Sequence, residues 1–150
     1  MEYRPGACRR NRLLGRRTPR RLGLDARRNQ AGVRHSFYPV ITAEKGKTNE
    51  PSFNALLGDK RNAETDTWYS LQNRVSSETP PTLLLLSDDD KVVPPVSSIR
   101  YYNALKENGV KASMHIYPTG GHGWGILDGF KYREQWQQAV LDWLEEINRK

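Results

Sequence analysis

The sequence predicts an α/β fold built on a parallel sheet, and three observations carry that prediction. Four consecutive leucines, Leu83 to Leu86, form a short apolar run bounded by Pro80-Pro81 and Ser87. Such a run suits a strand buried on both faces. The periods around it then read strand, helix, strand, helix, which implies parallel pairing with right-handed crossovers. Finally, the run stops at three carboxylates, Asp88-Asp89-Asp90, and the next strand leads into Gly120-Gly121-His122-Gly123. Loops beyond the C-terminal ends of parallel strands are where open α/β sheets build their sites.

The first 35 residues do not read as folded structure. They hold eleven Arg against Glu2 and Asp25, a net +9, whereas residues 36–150 hold thirteen basic and fifteen acidic residues, a net −2. The overall +7 therefore belongs to this segment alone. Like-charge runs repel and stay solvated, so 1–35 is expected to be a disordered Arg-rich arm or an out-of-frame leader. Residues 36–150 are expected to form the folded domain. Cys8 is the only cysteine, which excludes an internal disulfide and a cysteine-based metal cluster. No stretch reaches the roughly 20 apolar residues of a membrane span, and the N-terminus has no apolar signal region. The compartment is left open.

From Ser36 the texture changes. Phe37-Tyr38-Pro39-Val40-Ile41 is aromatic and β-branched and predicts a strand, with Pro39 opposing full ladder pairing. Ser52 to Leu57 predicts a short helix stopped by Gly58, and Asn62 to Leu71 a second. After the Leu strand, Ser97 or Ser98 is the expected N-cap of a helix over about 98–108, ended by Gly109. Ile99, Tyr102 and Leu105 would share its inner side. Ala112 to Tyr117 alternates and predicts a strand near a sheet edge. From about Lys131 to Ile147, Tyr132, Trp136, Val140, Trp143, Leu144 and Ile147 recur at helical spacing. Trp68, Trp136 and Trp143 are expected in the core, and Trp124 there rather than in a pocket.

His122 is the sharpest chemical signal. Its glycine neighbours permit positive φ and close backbone approach. A general base needs such a loop, one ring nitrogen turned to a nucleophile and the other to a carboxylate. Acid first and histidine second is the chain order of Ser, Asp/Glu, His hydrolases. Composition does not choose among Asp88, Asp89 and Asp90. His115 alternates along a strand and reads as structural, and His35 carries no argument. No Gly-x-Ser-x-Gly occurs in the sequence, and Cys8, with Gly6 before it, is a weak nucleophile candidate.

These motifs, with Asn54-Ala55-Leu56-Leu57-Gly58, Tyr69-Ser70-Leu71, Thr79-Pro80-Pro81-Thr82 and Asp89 to Pro94, resemble the later part of an α/β-hydrolase. The resemblance covers about residues 36–150. It is to acetylxylan esterases and the catalytic domain of prolyl-oligopeptidase-like serine hydrolases. It implies a partial α/β-hydrolase fold, with the family's catalytic Asp on Asp89, three residues before Val92, and its His on His122. The family's Ser and oxyanion loop should lie before Phe37 and have no counterpart here.

The implied activity is hydrolysis of acetyl or feruloyl esters of plant polysaccharide, with a serine peptidase as the alternative and no cofactor or metal required. In another class, the Arg-rich arm could bind nucleic acid, but no nucleic-acid fold signature follows it. A piece lacking its nucleophile is expected to be inactive alone. It is also expected to be aggregation-prone through an open edge at Phe37–Ile41, and to have a complementary N-terminal hydrolase segment as its partner.

Overall fold

The computed structural model describes residues 32–149. The readings placed on residues 1–31, including Cys8, lie outside these. Three parallel strands, β1 (Arg34–Phe37), β2 (Thr82–Ser87) and β3 (Ala112–Tyr117), form one sheet in the order β1-β2-β3. Leu83 stands opposite His35 on one side and Ser113 on the other. The Leu strand is thus central, flanked by the two neighbours that its apolar character demands.

All six residues of β2 are buried. Because strand side chains alternate, its four leucines serve two cores. Leu83 and Leu85 pack with Trp124, Phe130, Ala139 and Trp143, beneath helix α4 (Arg133–Asn148). Leu84 and Leu86 pack with Ile41, Tyr101, Leu105 and Val110, against helix α3 (Val96–Glu107). Both faces of β2 are therefore covered.

Two short helices, α1 (Glu50–Leu57) and α2 (Ala63–Tyr69), lie between β1 and β2. Asn49 caps α1 by accepting from Ser52 N, and Asn62 forms a capping box with Thr65. Arg61, only 6% exposed, ties this excursion together. It pairs with Glu50 at 2.5 Å and Asp66 at 3.0 Å and donates to the Ala43 carbonyl.

Three expectations are corrected. The first strand is Arg34–Phe37, not Phe37–Ile41. Tyr38 has φ +36° and turns the chain out of the sheet, while Arg34 enters the fold by donating to the Tyr101 hydroxyl at 2.9 Å. The strand thus begins inside the charged stretch. The second correction is at α3, which has Pro95 in the N-cap position with no side-chain cap. Ser97 and Ser98 lie buried within the helix, where Ser97 Oγ accepts from the Ile41 and Thr42 amides. Those amides run past α3 outside any strand and need acceptors, which the buried serine supplies. Lastly, Trp68 is 59% exposed rather than core.

Candidate active site

The site lies on the two loops that leave the C-terminal ends of β2 and β3. After Ser87 the chain turns sharply, and Asp90 is driven inward until its side chain is 1% exposed. A buried carboxylate needs hydrogen bonds on both oxygens. Asp90 Oδ1 accepts the Val92 and Val93 amides at 2.9 and 2.8 Å, closing an Asx-type turn. Its Oδ2 lies 2.8 Å from His122 Nδ1. With the carboxylate accepting, Nδ1 carries the proton and Nε2 is the basic nitrogen. The imidazole is 29% exposed.

Asp89 has a different task. Its Oδ1 accepts the Gly121 amide at 2.7 Å and its Oδ2 the Gly120 amide at 3.3 Å. The Gly121 amide is the chief influence holding this carboxyl below the usual range. Desolvation opposes it, and the Gly120 amide adds to it. Asp89 thus grips the backbone of the histidine loop and Asp90 grips the ring. The expected pairing of Asp89 with His122 is therefore corrected to Asp90. A local signal existed: in Asp90-Lys91-Val92-Val93, only Asp90 is two residues before Val92 and three before Val93. Asp88 is exposed and uses its backbone amide on the Tyr117 carbonyl.

The loop is shaped from below by aromatics. Trp124 is 2% exposed, stacks on Phe130 at 4.0 Å and donates from Nε1 to Ser87 Oγ at 2.8 Å. Gly120 has φ +144°, and a Cβ there would stand 2.4 Å from the Phe130 ring and 2.8 Å from Ser87 Oγ. Only glycine fits. Tyr38, missed as a site residue because it read as strand, lies against His122 with ring centroids 4.5 Å apart. Its positive φ is uncommon for an aromatic residue, and such outliers gather at sites. Among the described residues, Nε2 of His122 has no hydrogen-bond partner, serine included. Among the described residues the one Ser–His hydrogen bond, Ser113 to His115 Nε2 at 3.4 Å, is long and lies on β3.

A parallel sheet with helices on both faces, carrying an Asp–His pair on the loops after adjacent strands, is the later part of an α/β-hydrolase. The chain belongs to the prolyl oligopeptidase family, whose model matches residues 35–150. It is 37% identical over 115 residues to an acetylxylan esterase of Xylanibacter ruminicola, covering 74% of this chain and 24% of that protein. It is 36% identical over 86 residues to endo-1,4-beta-xylanase B of Butyrivibrio fibrisolvens, covering 57% and 13%. Among solved structures it matches an acetyl ester-xyloside bifunctional hydrolase from Caldicellulosiruptor lactoaceticus. There the TM-score is 0.72 and the identity 36%, over 77% of this chain and 42% of that one. A carboxylesterase from Lactobacillus plantarum follows, with TM-score 0.61, 25% identity and coverage of 81% and 46%. The chain thus spans about a quarter of the esterase and less than half of each solved relative. The resemblance read from the sequence is borne out.

Proposed function

We propose that this chain carries the acid–base half of a serine esterase that removes acetyl groups from plant polysaccharide. The observation that supports it best is the 2.8 Å bond between His122 Nδ1 and the buried Asp90 carboxylate. Asp90 fixes the ring tautomer and stabilises the imidazolium. His122 Nε2 takes the proton of a serine hydroxyl as that oxygen attacks the ester carbonyl. It then returns the proton to the departing alcohol oxygen, and a water molecule activated in the same way releases acetate. Asp89 keeps the histidine loop in place. The serine itself is supplied by a segment outside these residues. The names of the relatives, an acetylxylan esterase and an acetyl ester-xyloside bifunctional hydrolase, support acetyl esters over peptides.

The test mixes the chain with a separately expressed nucleophile-bearing half of the Caldicellulosiruptor relative and measures acetate release from acetylated xylan. Release is expected from the mixture, and is lost with His122→Ala and sharply reduced with Asp90→Asn. The chain alone should turn over p-nitrophenyl acetate no faster than its His122→Ala control. Turnover by the chain alone that His122→Ala abolishes would reveal an unrecognised nucleophile, with Cys8→Ala the next variant. Cleavage of proline-containing peptides but not esters would overturn the acetyl assignment.

A further inference from the structure

Helix α2 buries none of its residues, yet it carries Trp68, 59% exposed. A large aromatic held open to water on an otherwise polar helix is informative in a way an exposed Leu is not. Trp68 lines an open cleft of about 680 Å³ with Glu64, Thr65, Thr67, Asn73 and Arg74. That volume lies in the range of small-molecule sites, which are largely apolar with a few convergent polar groups. The Arg74 guanidinium lies 4.6 Å from the centre of the Trp68 ring. Among the described residues, neither Arg74 nor Glu64 enters an ion pair. Asn73 is held by donating from Nδ2 to the Thr67 carbonyl at 3.1 Å, which leaves its Oδ1 to accept.

An apolar platform, a forked donor and two acceptors form one cluster. A peptide carrying one sign of charge would satisfy only one of the two. An acyl chain would leave both unpaired. A sugar ring matches the set, because its hydroxyls donate and accept together while its C–H face is apolar. The Arg74 guanidinium covers one face of the indole, and a xylopyranose, which has no exocyclic carbon, would lie flat on the other. We infer that the Trp68–Arg74 cleft binds a pyranose ring of a polysaccharide backbone. The assignment rests on the proposed polysaccharide substrate and names the part of it that is held away from the ester. The cleft shares no residue with the Asp90–His122 pair, so it anchors the chain of sugars and takes no part in the chemistry.

The experiment is calorimetric titration of the full chain with unacetylated xylohexaose. Saturable binding is expected, weakened about tenfold or more in Trp68→Ala and kept within about threefold in Trp68→Phe, which preserves a ring. Arg74→Ala should weaken it several-fold, and Asp90→Asn should leave it unchanged. Trp68 is exposed, so thermal unfolding of the two Trp68 variants should match the parent. Equal binding by the parent and Trp68→Ala overturns the inference. So does absence of saturation in a folded chain, or a Trp68→Ala effect on sedimentation with none on sugar binding, which would make this face a protein contact. Failure of acetate release in the mixing experiment would leave the sugar titration intact, so the two assignments fail separately.

Discussion

At the scale of single residues, two adjacent aspartates divide one job. Asp90→Asn should remove the downfield imidazole N–H resonance of His122 in proton spectra, because the neutral amide is a poorer acceptor at Nδ1. Asp89→Asn should keep that resonance while loosening the loop. The opposite pattern would restore Asp89 as the ring's partner. Gly120 is the least replaceable backbone position. Gly120→Ala combines a disfavoured φ with a clash into Phe130, and should cost about 2 kcal/mol or more in urea unfolding. Acid sensitivity has a definite sign. Asp89 is held low first by the Gly121 amide, and Glu50 first by the Gly46 amide and then by Arg61. A carboxyl lowered by folding stabilises the fold while ionised. That contribution is complete above the ordinary carboxylate range near pH 4 and is lost as pH falls below it. Urea midpoints should hold from pH 7 to about 5 and then drop, less steeply in Asp89→Asn and Glu50→Gln.

At the scale of elements, β2 offers a paired test. Leu83→Ala and Leu84→Ala open cavities beneath different helices and should each cost about 3 kcal/mol, with nearly additive effects if the two cores are independent. The excursion α1–α2 hangs on Arg61. Arg61→Ala strands two carboxylates and a carbonyl, and should destabilise by on the order of 2–3 kcal/mol, read first as faster amide exchange in α1 and α2.

These elements differ in how legible they were. The Leu run and the helical period of α4 stand out because burial on both faces, or along one stripe, leaves a regular apolar pattern. β3 alternates and was equally plain. β1 was displaced because Arg34 and His35 share their stretch with a charge run, and what makes them strand is pairing with distant Leu83 and its neighbours. The Ser97 misreading has the same root, since local chemistry favours serine as a cap while a distant segment's amides claimed its oxygen. Trp68 was misplaced because nothing local distinguishes an aromatic that packs from one that stands open. Of the site, His122 was visible through its glycines. The choice of Asp90 needed the Asx-turn geometry, and Tyr38 needed the three-dimensional approach of β1 to the histidine loop.

At the scale of the molecule, the sheet of the described residues ends at β1 on one side and β3 on the other. Unpaired strand edges recruit other strands. Sedimentation of the full chain is therefore expected to show association that rises with concentration, suppressed when the nucleophile-bearing half of the relative is added. A monodisperse monomer with one sharp thermal transition would mean that these edges are already satisfied. The direction of β1 adds something further. All three strands run the same way, and the loops bearing Asp90 and His122 leave from one rim of the sheet. A strand joining β1 in parallel would end at that same rim. Whatever residue follows it would be delivered beside the imidazole by the polarity of the ladder alone. Direction here works as an address, one that needs no recognition sequence and that an antiparallel newcomer could not read.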